Sequence, residues 1–142
     1  GIVSGILHKD NTIDIERTKD LVELSKPLAF TFHRAFDCVD NPSKALEQLI
    51  DLGVDRVLTS GQETSAKKGL NVLKQLHEQA NGRITILAGG GINSDNARLF
   101  KDVGLNEIHA SASSTIQSDE SLFSAPLTYS DTKKIKAILN AI

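Results

Sequence analysis

Ile84-Thr-Ile-Leu-Ala-Gly-Gly-Gly-Ile92 is an apolar run that ends in three glycines. The run reads as a buried strand over Ile84–Ala88, and Asn93-Ser94 then read as capping residues for a helix over Asp95–Val103. Glycines at a strand exit let backbone approach a neighbour closely, because no Cβ intervenes. A helix start just beyond them offers N–H groups to an anion.

The same strand-then-helix unit recurs on both sides. Gly1–His8 is β-branched and apolar, a strand, and Asp14–Ser25 carries helical spacing through Ile15, Leu21, Val22 and Leu24. Leu28–Arg34 is the next strand. Asn41 and Pro42 open a helix with Ala45, Leu46, Leu49 and Ile50 on one face, which Gly53 closes. Arg56–Ser60 is a strand, and the following helix begins at Thr64 or Ser65 and ends at Asn81-Gly82. Glu107–Ser111 is the fifth strand. Ser113–Thr128 is polar and reads as a loop, with Phe123, Pro126 and Tyr129 as its large apolar anchors. Ser130 reads as the cap of a last helix that turns Ile135, Ile138 and Leu139 inward.

Five βα units imply a parallel sheet with right-handed crossovers. An open doubly wound sheet and five units of an eight-unit barrel both fit that pattern. Alternation favours the barrel. Thr31 and His33 share one strand face opposite Phe30 and Phe32, and Glu107, His109 and Ser111 share one opposite Ile108 and Ala110. Polar residues on one face near the strand exits suit a barrel interior opening at its C-terminal mouth.

Composition narrows the rest. The 142 residues are one domain's worth, and a net charge of −2 without a basic run argues against nucleic acid as a partner. No apolar stretch approaches the ~18 residues of a membrane span. A single cysteine, Cys38, excludes an internal disulfide and fits a reducing compartment. The chain holds no methionine and begins inside an apparent strand. It is therefore expected to be a fragment that lacks N-terminal sequence.

The segments Thr31-Phe-His-Arg-Ala-Phe-Asp37, Arg56-Val-Leu-Thr-Ser-Gly61, Gly89-Gly-Gly-Ile92 and Glu107-Ile-His-Ala-Ser-Ala112, in that order, resemble the CutC copper homeostasis family. The resemblance implies an α/β fold of the (β/α)8 TIM-barrel type. Residues 1–142 would then be the C-terminal portion of a single domain, an incomplete barrel covering approximately strands 4 to 8. It also implies a cytoplasmic, homo-oligomeric protein that handles copper(I).

The residues themselves allow more than one chemistry. His33 and His109 are candidate metal ligands or proton carriers, and equally structural histidines. Asp37 joins them as a candidate catalytic group. Arg34 is an anion binder or an ion-pair partner of Asp37 or Glu107. Gly89, Gly90, Gly91 and Ser111 complete a candidate anion site, with Thr59, Ser60 and Ser113 as further hydroxyls at strand exits. Cys38, His33 and His109 form the candidate copper set, since copper(I) prefers soft ligands. One thiol and no thioether cannot complete such a site without imidazole, further polypeptide or another subunit. The competing function is a barrel enzyme acting on a small phosphorylated or anionic metabolite through His33, Arg34, Asp37 and His109. His8 is a further candidate for the mouth, and His77 is expected to face solvent.

Overall fold

The computed structural model, which describes residues 1–116 and 127–142, lays the apolar segments side by side as parallel strands. They are β1 (Ile2–Ser4), β2 (Phe30–Phe32), β3 (Arg56–Thr59), β4 (Thr85–Gly89) and β5 (Glu107–His109), ordered in the sheet as they occur in the chain. A doubly wound sheet reverses direction at a switch point. This sheet has no reversal, so of the two architectures only the barrel-like progression remains.

Among the described residues five α-helices connect and follow the strands: α1 (Ile15–Ser25), α2 (Pro42–Asp51), α3 (Leu70–Ala80), α4 (Ala97–Asp102) and α5 (Thr132–Ala141). Their starts follow from caps. Asp14 accepts the Arg17 N–H at 3.0 Å, and Asn41 accepts the Lys44 N–H at 3.0 Å with Pro42 in the first turn. Gly53 and Asn81 take left-handed conformations, φ 74° and 45°, that stop α2 and α3.

The two faces of the sheet differ. Phe30, Phe32, Val57, Ile86 and Ala88 point one way and are buried, in one cluster with Leu46 and Leu49 of α2, Leu73 and Leu76 of α3, and Phe100 of α4. Each large side chain buried there contributes about 1.5–3 kcal/mol. The other face carries Val3, Thr31, Arg56 and Thr85 in one row, with Leu58, Leu87 and Glu107 in the next. Of these only Thr31 is buried, and Val3 is 62% exposed. The predicted alternation on β2 and β5 is therefore present, and the described helices pack against the apolar side. Arg56 of β3 reaches across β4 to Glu107 of β5, with Nε and Nη2 donating at 2.7 and 3.1 Å. Side chains from alternate strands meeting in a layer are the interior arrangement of a barrel.

Several expectations are corrected. The segment read as a polar loop contains β6 (Ser113–Ile116) and β7 (Leu127–Ser130), an antiparallel pair with Ser113 opposite Ser130. Thr115, Ile116, Thr128 and Tyr129 supply the β-favouring side chains that its serines obscured. Phe123 and Pro126 lie outside the described residues. Because Ser130 belongs to β7, the cap of α5 is Asp131, which accepts the Lys133 N–H at 2.8 Å. On α5 only Ile138 is buried; Ile135 and Leu139 are 39% and 61% exposed. β5 ends the sheet, so among the described residues no further strand lies beneath that part of the helix. α3 begins at Leu70, well after Thr64 or Ser65, because the intervening loop is tied to the strand exits described below. No helix among the described residues is long and apolar enough to cross a membrane.

On the outer surface Arg83 grips Glu47 through Nη1 and Nη2 at 2.7 and 2.9 Å. The guanidinium, with Gln79, draws the Glu47 carboxyl down to about 2. This pair joins the end of α3 to α2.

Candidate functional site at the strand exits

After β2 the chain turns through one 3-10 segment, Arg34–Cys38. His33 caps it, its Nδ1 accepting the Ala35 N–H at 3.1 Å. A neutral imidazole held this way carries its proton on Nε2, so His33 presents a donor and not a lone pair. Gly5 lies directly against the ring. A Cβ there would stand 2.8 Å from Nδ1 and 2.9 Å from Cε1, so only glycine leaves the ring where it is.

Asp37 is the hub. Its side chain is 11% exposed. Oδ1 accepts from the Thr59 hydroxyl at 2.5 Å, the Ser60 N–H at 3.0 Å and the Gln62 N–H at 3.2 Å. Oδ2 accepts from Arg34 Nε at 2.7 Å. Arg34 Nη2 donates onward to Ser60 Oγ at 2.8 Å, and the Ser60 hydroxyl donates to the Glu63 carbonyl at 2.6 Å. Gln62 Nε2 donates to the Val39 carbonyl. One carboxylate thus locks the exit of β3 onto the exit of β2. Arg34 pairs with Asp37, and Glu107 pairs with Arg56 instead, which settles the two ion-pair partners the sequence left open for Arg34.

The exit of β4 joins the same assembly. The Ala66 N–H donates to the Gly90 carbonyl at 2.9 Å. A Cβ on Gly90 would lie 3.3 Å from Ser60 Cβ and 3.5 Å from Arg34 Nη1, and φ there is 118°. Gly90 is therefore the wall against which Arg34 rests. Gly89 has a different neighbour: its missing Cβ would overlap Leu58 Cδ1 at 2.5 Å and stand 3.4 Å from His109 Cβ. Beyond Gly91, Asn93 N–H donates to Asn96 Oδ1 at 3.0 Å, Asp95 N–H to Asn93 Oδ1 at 2.9 Å, and Asn96 Nδ2 to the Gly91 carbonyl at 2.9 Å. The turn into the short α4 satisfies much of its own polarity. The cation facing the glycines is Arg34.

Arg34, Asp37, Ser60 and Gly90 thus form one constellation, with His33 at its start. His109 lies beside Gly89 and is exposed. Cys38 is an exposed free thiol at the end of the 3-10 turn. Ser111 lines a separate cleft with Ser113. His8 faces Asp14 at 3.6 Å. His77, expected in solvent, is half-buried against Gly104. Among the described residues no three His, Cys, Asp or Glu side chains converge as a metal site. Gly5, Gln62 and Gly69 are structural partners the sequence reading passed over. Gly69 falls inside the helix expected from Thr64 or Ser65, and the approach it permits comes from a distant strand exit.

The family model that matches the chain is that of the CutC family, over residues 1–114. This range includes the whole Arg34–Asp37–Ser60–Gly90 constellation. A CutC family protein of Bacteroides fragilis is 52% identical over 119 residues, covering 83% of this chain and 47% of the relative. One of Photorhabdus laumondii is 44% identical over 135 residues, covering 95% and 54%. The chain spans about half the length of the curated relatives it matches. Among solved structures, a CutC protein of Streptococcus agalactiae, named for copper homeostasis, superposes with a TM-score of 0.70 at 33% identity, over 75% of this chain and 53% of that one. The chain belongs to the CutC family.

Proposed function

We propose that this chain serves copper homeostasis in the cytoplasm, as strands 4 to 8 of a homo-oligomeric (β/α)8 barrel whose mouth is the Arg34–Asp37–Ser60–Gly90 constellation. The observation that carries the reading is family membership together with the superposition on the Streptococcus agalactiae protein. The consecutive strand order, the half-open sheet face and the Arg56–Glu107 layer support the barrel. So does the chain's span of about half its relatives.

Copper is the cargo in this reading, and the described residues fit it only in part. Cys38 supplies one exposed thiol, while His33 Nδ1 is taken by the Ala35 N–H. A Cu(I) site of soft ligands therefore draws on polypeptide beyond this chain or on a second subunit. The test is a Cu(I) titration against a competing chelator, run on the protein that includes the further strands and on its Cys38→Ser variant. The reading predicts that the whole barrel withdraws Cu(I) from the chelator and that Cys38→Ser weakens this. An absence of measurable affinity in the whole barrel removes the copper reading.

A second reading, a barrel enzyme acting on a small anionic metabolite, has one observation in its favour. Arg34 is positioned by Asp37 and Ser60 while Nη1 has no partner among the described residues, and its side chain is 46% exposed. A pre-positioned guanidinium suits a carboxylate or phosphate. In this reading His33 donates through Nε2–H, Asp37 positions Arg34, and His109 contributes from beside Gly89.

A further inference from the structure

The exits of β4 and β5 face the first turns of α5 across a cleft of about 380 Å³. Its polar lining is Asn93 and Ser94 from the loop after β4, Ser111 and Ser113 from the segment after β5, and Lys134 from α5, with Asp95 at the rim. Ile92 and Ile138, both buried, form part of its floor. None of these side chains bonds to Arg34 or Asp37, so the cleft is separate from the mouth described above.

We propose that this cleft binds the phosphate group of a small phosphorylated molecule, with Lys134 as its cation. Lys134 is carried across the opening by a bond from Nζ to the Ser113 carbonyl. That bond uses one of three ammonium protons and leaves two for a ligand. The Ser111 and Ser113 hydroxyls stand 3.4 Å apart, on either side of Ala112, whose φ of 45° is uncommon for a residue with a Cβ. The Ile92 and Ser94 N–H groups have no acceptor among the described residues. Two hydroxyls, free backbone donors and an ammonium around one opening are the donor set of a phosphate oxyanion. The N-terminal N–H groups of α5 take no part, since Asp131 accepts the Lys133 N–H and the Ser114 hydroxyl, at 2.8 and 2.9 Å.

Two carboxylates bear on the sign. Asp131 lies one turn before Lys134 and is occupied by those two donors. Asp95 accepts only a long bond from the Ser94 hydroxyl, at 3.4 Å, and opposes an anion at the rim. The site is independent of the copper reading and of the Arg34 mouth, and Lys134 lies outside the residues the family model matches.

The probe is inorganic phosphate, followed by calorimetry or by amide chemical shifts on the protein that includes the further strands. Phosphate is expected to bind in the millimolar range or tighter. Lys134→Gln should weaken it about tenfold, the value of one hydrogen bond to a charged group. Lys134→Arg should keep it, and Asp95→Asn should tighten it by removing a like charge. Lys134 is exposed, so its variants are expected to fold, which circular dichroism checks. Phosphate bound equally by Lys134→Gln, lost only in Arg34→Gln, or not bound at millimolar concentration would each overturn the proposal. Loss in Arg34→Gln alone would move the anion to the other mouth and so speak for the enzyme reading instead.

Discussion

Asp37→Ala is expected to lower the stability of the chain by about 3 kcal/mol, the range seen when one partner of a buried charged cluster is removed. The effect follows from what the carboxylate leaves behind. The N–H groups of Ser60 and Gln62 lose their acceptor in a region where Thr59 and Ser60 are 0% exposed. The Thr59 hydroxyl keeps the Gly61 N–H as a donor at 2.9 Å but loses its own acceptor. Arg34 loses the bond that aims it. Asp37→Asn keeps one acceptor oxygen and should fall between wild type and alanine. Urea unfolding of the protein that includes the further strands, monitored by circular dichroism with the slope checked for constancy, reads the difference. A loss below about 1 kcal/mol, the level of a surface pair, would show that Asp37 is not the hub described.

Gly69→Ala carries the other large effect, expected at about 3 kcal/mol or more because overpacking here meets backbone and not a mobile side chain. A Cβ on Gly69 would stand 2.0 Å from the Ser60 carbonyl oxygen and 2.9 Å from Gly61 Cα. The backbone at Gly69 has φ −82° and ψ 10°, which any residue adopts. The requirement is therefore proximity, not torsion. Gly53→Ala is the control, with φ 74° but nothing within 4 Å of the added Cβ. It should cost only about 1 kcal/mol, the torsional share. Thermal unfolding of both variants separates the two causes. Equal losses would mean that the loop over 61–69 yields freely and that its approach to Ser60 is not a constraint. Since Ser60 receives Arg34 Nη2, the shift forced by Gly69→Ala should also disturb the mouth.

Local signals carried much of the fold. Asn41-Pro42, Gly53 and Asn81 mark helix ends by chemistry that needs no tertiary partner. Phe30 and Phe32 against Thr31, and Ile108 against Glu107 and His109, mark faces by period alone. What stayed hidden depends on contacts far apart in sequence. The start of α3 is delayed to Leu70 because Ala66 and Gly69 answer to Gly90 and Ser60. The pairing of β6 with β7 depends on two segments separated by the residues between Ile116 and Leu127. The site was legible as a set of residues at strand exits, but not as a geometry. Nothing near Asp37 in sequence announces that Thr59, Ser60 and Gln62 will surround it. The bond from the Ala35 N–H to His33 Nδ1 is local, but histidine is not among the residues that ordinarily cap a helical turn.

In the function proposed above, the half-open face of this sheet is a barrel interior that further strands complete. β1 and β5 are the edges of the sheet, Val3 is 62% exposed, and Leu139 of α5 is 61% exposed. Unpaired parallel edges beside exposed apolar side chains promote association. Size-exclusion chromatography with light scattering on the 142-residue chain tests this directly. Association or precipitation is expected, relieved when the further strands are supplied. A single sharp species at the monomer mass of 15.3 kDa, unchanged by those strands, would contradict it.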